Sequence, residues 1–406
     1  VTRRDLAVIA LVAGVARVAL LALTGAWGAP RLWEYDDIAR NILAGRGFVY
    51  DHYGTEYRGF TTPGWPFVLA VLLRVGDYRL VQGVQALFCV LLGASAYLVV
   101  RHAWSRRAGL LAGTLCVLHP GLVYYSVVNS DPLPLNAWLV FLIAAALLPL
   151  ADDPRPAKAL GPGALIGLSL LTRGTTLLLL PVAAVWLLFT AGWRRTAAPL
   201  AVLLLVPSVM VTPWLLRNWT AMGAPAMTST GGEMLWWGNN PEASGGIEAV
   251  DGRNMRDGMP PAVRAVLAAS PRELVHDRAF RDEALRFIRT DPAAFAALLL
   301  RKLGQFWWFG PFSGKEYPRW FLALYKPLYA LELILAMAGV VVAIRSRHRA
   351  TAWLLLTVPL AISVFQSLFY VQGRHRWMVE SFVLVFVAVA AARALEWYAG
   401  APGDRA

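Results

Sequence analysis

The chain has 406 residues, 58% of them hydrophobic and only 16% charged, with a mean hydropathy of +0.52. These proportions exclude a water-soluble, disordered or collagen-like chain, because burying so much apolar surface takes either a far larger charged shell or a bilayer. The apolar residues run in blocks of about 20 and do not alternate over segments of about 10, which excludes an outer-membrane barrel as well. A formal net charge of +13 and an isoelectric point near 10.1 do not point to nucleic acid. The basic residues cluster at the ends of apolar blocks, at Arg3/Arg4, Arg101/Arg106/Arg107, Arg155/Lys158, Arg194/Arg195 and Arg345/Arg347/Arg349. If the chain crosses the membrane ten times, every cluster faces the cytoplasm, as positive charge at short turns requires. Cys89 and Cys116 each sit inside an apolar block and read as small buried hydrophobes.

The first apolar block, 6–27, follows Arg3/Arg4 and is longer than a signal-peptide core, so it reads as an uncleaved first span. It leads into a polar loop over 28–64, where the pattern from Trp33 to Leu43 predicts a short surface helix ended by Gly45 and Gly47. The apolar run 66–75 is too short to cross and is expected to be interfacial or re-entrant. Spans two to seven fall near 80–100, 108–125, 133–150, 164–173, 175–189 and 197–216, the fifth and sixth forming either two passes or one bent hairpin. A polar segment, 217–319, follows as an outer-side domain whose last part, Pro292 to Phe309, reads as a surface helix. Spans eight to ten lie near 320–344, 351–370 and 377–397. The fold class is thus an all-α polytopic membrane protein, divided into 1–216, 217–319 and 320–406.

Chemistry-bearing residues gather in the outer segments. Asp36 and Asp37 open the surface helix, where adjacent side chains diverge by about 100 degrees and cannot both point one way. Asp131, in the short turn Asn129-Ser130-Asp131-Pro132, is either a helix cap or a third acid at the same face. Arg173, Arg217, Arg374 and Arg376 stand where the charge rule gives no reason for them, and a cationic cluster there suits a phosphate at the interface, against snorkelling to headgroups as the alternative. His375 reads as a bystander or phosphate contact, with no second histidine at metal-ligand spacing. The stretch from Thr230 to Gly246 reads as a shaped loop, with Trp236 and Trp237 as interfacial anchors or sugar platforms.

Several motifs in order resemble one family. Tyr35-Asp36-Asp37-Ile38-Ala39-Arg40-Asn41, Thr62-Pro63-Gly64-Trp65-Pro66, Ser130-Asp131-Pro132-Leu133, Leu171-Thr172-Arg173, Pro213-Trp214-Leu215-Leu216-Arg217-Asn218, Gly238-Asn239-Asn240-Pro241-Glu242 and Arg374-His375-Arg376 look like those of the GT-C fold glycosyltransferases of family 39 type. That family includes protein O-mannosyltransferases and the aminoarabinose transferase of lipid A. The resemblance implies a GT-C-like fold and an inverting transfer from a polyprenyl-phosphate sugar to a glycan, lipid or protein acceptor. An acidic residue of the first outer loop would be the base, by position Asp36, with Asp37 and Asp131 beside it. The donor phosphate would rest on Arg58, Arg173, Arg217, Arg374 and Arg376, and the substrate loop would present Trp236, Trp237, Asn239, Asn240 and Glu242.

The implied setting is a bacterial inner or plasma membrane with the site facing outward. Thr61 and Thr62 stand where some members carry a lysine, which throws phosphate binding onto the arginines. No cofactor is expected; Asp36 and Asp131 could share a divalent ion but lack a denser oxygen cluster. The rival reading is a lipid or solute transporter, against which stand the missing internal repeats and the long outer domain.

Overall fold

The computed structural model describes residues 2–314 and 319–399. Parts of the predicted 217–319 and 320–406 segments, residues 315–318 and 400–406, lie outside the described residues. Helix α1 (Thr2–Thr24) leads to a short helix α2 (Glu34–Leu43), a hairpin of β1 (Tyr50–His52) and β2 (Thr55–Tyr57), and an apolar α3 (Gly64–Val75). Then come α4 (Tyr78–Ala103), α5 (Arg106–Leu118), α6 (Pro120–Val127), α7 (Leu133–Leu147), α8 (Pro149–Asp152), α9 (Pro156–Thr172), α10 (Leu179–Ala191) and α11 (Trp193–Met222). The outer segment holds α12 (Gly231–Gly238), α13 (Pro261–Ala269), α14 (Glu273–Thr290) and α15 (Pro292–Trp307). The chain closes with α16 (Arg319–Ile344), α17 (Arg349–Ser367), α18 (Gly373–Trp377) and α19 (Glu380–Tyr398).

Among the described residues, eight helical stretches are long and apolar enough to cross a membrane, or nine with the α5–α6 pair, bent by 48°. The bend falls at Pro120, whose ring and missing N–H interrupt the helix. Arg17, buried within α1, donates to the Val117 carbonyl beside the break at 3.0 Å. A further apolar helix, α9, is only 17 residues long. It runs parallel to α11, with Gly163 against Val206 and Gly167 against Met210, so α10 must return between them. The fifth and sixth predicted spans are therefore two separate helices running in opposite directions.

The two ends of the bundle differ as the charge pattern implies. At the basic end, Arg106 pairs with Asp5 at 2.7 Å, and Trp104 Nε1 donates to Ser346 Oγ at 3.2 Å. At the other end, two glutamines of α4 hold both short loops. Gln82 Nε2 donates to the carbonyls of Ala26 and Val127 (2.7 and 2.6 Å), and Gln85 Nε2 to those of Tyr125 and Asn129 (2.9 and 2.8 Å). Arg31 and Asn129 form a parallel bridge, so the first loop and the Asp131 turn lie side by side. The 217–319 segment joins them: Glu273 of α14 accepts from the backbone N–H groups of Arg58 and Gly59 (2.9 and 3.0 Å) and from Ser229 Oγ (2.5 Å).

One sequence expectation needs correction. The stretch from Thr230 to Gly246 is not all loop, since α12 occupies its first half and buries Trp236 with Phe280, Leu298 and Met255 in the core of the outer domain. The surface helix α15 is tied down through Lys302, which is fully buried and donates to Gly238 O (3.0 Å) and Asn239 Oδ1 (2.8 Å). Burial pushes the Lys302 ammonium down to about 7. Cys89 and Cys116 are buried and unpaired, as small hydrophobes should be.

Candidate active site

Where the first loop, the Asp131 turn, the outer domain and α18 converge, they enclose a cavity of about 860 Å³. Two of its acids come from α2. Glu34 and Asp37, three residues apart, share one helix face and line the cavity. Asp36 points the other way. Its Oδ2 accepts from the Trp33 backbone N–H at 2.8 Å, half of a capping box that fixes the start of α2, and the residue is fully buried away from the cavity. Burial raises its carboxyl above the ordinary range, against the Trp33 N–H and the hydroxyls of Ser130 and Tyr78. The structure thus places the Asp36 carboxylate away from the cavity wall and the Glu34 side chain at it. Burial raises the Glu34 carboxyl as well, with Arg374 and Arg256 pulling against it and Asp131 adding to the rise.

The arginines divide in the same way. Arg374 and Arg376 line the cavity from α18. Arg374 Nη1 stands 3.8 Å from Asp131 Oδ2, and its guanidinium faces the Trp33 ring at 6.0 Å. Asp131 also caps α7, taking the Leu133 N–H at 2.8 Å, so it is cap and counter-ion at once; burial raises its carboxyl while Arg374 lowers it. Arg376 Nε donates to Glu380 at 2.9 Å and its guanidinium lies 3.9 Å from the Tyr329 ring. Arg58, Arg173 and Arg217 are not in the cavity wall. Arg58 is exposed and reaches Glu56 at 3.5 Å; Arg173 donates to Thr175 Oγ1 at 3.1 Å. Arg217 holds the first loop onto α11, donating to the carbonyls of Arg58 and Phe48 and stacking on Trp214 at 5.0 Å.

Of the expected substrate loop, only Trp237 reaches the cavity. Trp236 is core, Asn239 Nδ2 brackets the carbonyls of Leu235 and Leu368 (2.7 and 2.8 Å), Asn240 Nδ2 donates to Trp236 O (2.7 Å), and Glu242 pairs with Arg253 (2.8 Å). Residues that sequence reading passed over complete the wall: Tyr50, Tyr125, Glu248, Arg256 and Tyr370. Arg256 lies over Trp237 at 5.1 Å and reaches Glu233 at 3.5 Å. Glu34 carried one legible signal, its spacing of three from Asp37 at the head of an amphipathic helix; Arg256 carried none. His375 is buried and accepts the Gln372 N–H on Nδ1 at 3.2 Å, a local structural role. Among the described residues no cluster of three or more His, Cys, Asp or Glu side chains is arranged to hold a metal.

This arrangement of helices defines a GT-C-fold membrane protein. The chain superposes on the oligosaccharyltransferase AglB of Archaeoglobus fulgidus, solved with an inhibitory peptide and a dolichol-phosphate, with 13% identity and a TM-score of 0.57 over 100% of this chain and 52% of that one. The zinc and sulfate complex of the same organism's oligosaccharyltransferase gives 15% identity and a TM-score of 0.58 over 98% and 50%. ArnT of Cupriavidus metallidurans bound to undecaprenyl phosphate superposes less well (16% identity, TM-score 0.43, 95% and 78%), and the fold assignment rests on the first two. The chain spans about half the length of those oligosaccharyltransferases. Residues 61–216, less than half of the chain, match the dolichyl-phosphate-mannose-protein mannosyltransferase family model, in keeping with the family 39 resemblance. No curated protein matches the chain.

Proposed function

We propose that the protein is an inverting glycosyltransferase that takes a sugar from a polyprenyl monophosphate at the end of the bundle opposite the basic clusters. The observation that carries this reading is the cavity, in which Glu34 and Asp37 face Arg374, Arg376 and Arg256 beside a membrane surface. Glu34 is the general base. It removes the acceptor hydroxyl proton as that oxygen attacks the anomeric carbon, on the face opposite the lipid phosphate. The C–O bond to the phosphate breaks, and the electron pair leaves with the phosphate. Arg374 and Arg376 stabilise that growing charge, which needs no proton to depart. Asp37 and Asp131 are supporting acids, Asp131 by orienting Arg374. Trp237 and Arg256 form the wall against which sugar or acceptor stacks.

The GT-C fold and the family match over 61–216 support this donor class, and the positive-inside rule supports a site facing outward from the proposed bacterial inner or plasma membrane. The transporter alternative has no observation in its favour. The test is to incubate purified protein with polyprenyl-phosphate sugars extracted from cells and follow polyprenyl phosphate by mass spectrometry. Release by wild type and none by Glu34→Gln is the expected result; equal release from both removes Glu34 from the mechanism.

A further inference from the structure

Beneath Arg376 lies a buried polar cluster that the transfer chemistry does not use. Glu380 at the head of α19 accepts from Arg376 Nε at 2.9 Å and lies 3.9 Å from His119 Nε2 at the α5–α6 break. Tyr325 of α16 bridges the two, its hydroxyl 3.4 Å from both His119 Nε2 and Arg376 Nη2. Glu332, two turns further along α16, shares the helix face of Tyr325 and Tyr329, both of which touch Arg376, so its side chain lies on the side of α16 that faces the Arg376–Glu380 pair. Glu332 Oε1, Glu380 Oε1 and the Tyr329 hydroxyl are all buried with no donor or acceptor otherwise facing them.

A carboxylate is only an acceptor, so two carboxyl groups can bond to each other only if they hold a proton between them. Two bare carboxylates side by side in a membrane interior would also repel and lose their hydration. With one shared proton, Glu332, Glu380 and Arg376 sum to zero charge. The neighbours facing the pair are His119 from the α5–α6 break, Cys116 from α5, Tyr325 and Tyr329 from α16 and Arg376 from α18. None of these supplies a second fixed positive charge once His119 is neutral. An anion placed on the cavity side of Arg376 would therefore compete with Glu380 for that guanidinium.

We infer that Glu332 and Glu380 form a proton-binding site coupled to the cavity, which takes up a second proton when an anionic lipid headgroup engages Arg376. This rests on the reading that the cavity holds a lipid-linked phosphate. In the step, Glu380 loses part of its ion pair to the incoming anion and gains an O–H bond, the proton coming from solvent through the cavity. The process reverses when the lipid leaves.

The test is calorimetry of wild-type protein with farnesyl sulfonate, whose headgroup does not titrate between pH 6.5 and 8.5, in two buffers of different ionisation enthalpy. Uptake approaching one proton per ligand is expected, with affinity weakening by up to about tenfold per pH unit as pH rises. Glu332→Gln should remove most of that uptake, and Glu34→Gln identifies separately the part due to the raised carboxyl in the cavity wall. Should Glu332→Gln fail to fold, Glu332→Asp, with a carboxyl too short to reach Glu380 as closely, should lower the proton count. Binding without proton uptake in wild type, or equal uptake in the Glu332 variants, would overturn the inference. Failure of wild type to bind either farnesyl sulfonate or farnesyl phosphate would instead count against the donor class itself.

Discussion

The side chain that distinguishes a chemical role from a structural one in the first loop is Glu34. Its replacement by Gln keeps size and polarity but removes the base, and should lower the transfer rate by roughly 10² to 10⁴. Asp36→Asn should leave transfer near normal, because an amide oxygen still accepts the Trp33 N–H. Its stability at neutral pH should rise. A carboxyl raised in the folded state contributes stability at acid pH that is lost as pH rises through its folded value, and Asn has no such charge to bury. Burial also raises Glu34, so the acid limb of the kcat/KM profile should lie above the ordinary carboxyl value of about 4.3 and disappear with Glu34→Gln. A profile centred at or below that value would remove Glu34 as the base.

Among the arginines, Arg374→Ala should weaken polyprenyl-phosphate binding by about 1.5–3 kcal/mol, with Lys restoring only part, since a point charge replaces a fork. Arg217→Ala should instead lower thermal stability and leave affinity in the surviving folded fraction unchanged. Titration of farnesyl phosphate into both variants separates the two, and equal losses of affinity would return Arg217 to the site.

At the scale of elements, the docking of loop on domain depends on a few buried carboxylates. Glu273 accepts three hydrogen bonds from Arg58, Gly59 and Ser229, so Glu273→Gln turns an amide nitrogen toward donors. Hydrogen exchange should rise in the β1–β2 hairpin and in residues 223–230, with about 1.5–3 kcal/mol of stability lost. Unaltered protection in the hairpin would show that packing alone holds the loop.

The sequence made the spans legible because each is an apolar block bounded by charge, and α2 legible because glycines with positive φ, Gly45 and Gly47, end it. It hid α12, because Gly231, Gly232 and Gly238 look like turn residues until the domain packs around Trp236; a Cβ on Gly238 would stand 2.3 Å from the Phe369 carbonyl oxygen. Motif position drew attention to Asp36, but helix phase decides which acid meets the cavity. Arg58, Arg217, Asn239 and Asn240 look like binding residues in sequence because they are polar and sit near spans. In three dimensions their backbones and side chains satisfy loop carbonyls and N–H groups that must be paired where loops meet the bundle.

At the scale of the whole molecule, the candidate spans of the described residues, together with α9, place the acids, the arginines and the outer domain at one end and the five basic clusters at the other. Single cysteines at Asp51 and Val250, in a background lacking Cys89 and Cys116, should react with an impermeant thiol reagent added outside cells, and one at Arg347 only after permeabilisation. The reverse pattern would put the cavity in the cytoplasm and admit nucleotide sugars as donors.

The most direct measurement of the central claim is mass spectrometry of lipid-linked sugars in cells that lack the protein, carry the wild type or carry Glu34→Gln. A polyprenyl-monophosphate sugar should accumulate in the first and third strains, with one envelope glycoconjugate missing that sugar, and both should return to normal in the second. Identical lipid-linked sugar pools and glycoconjugates in all three would contradict the account.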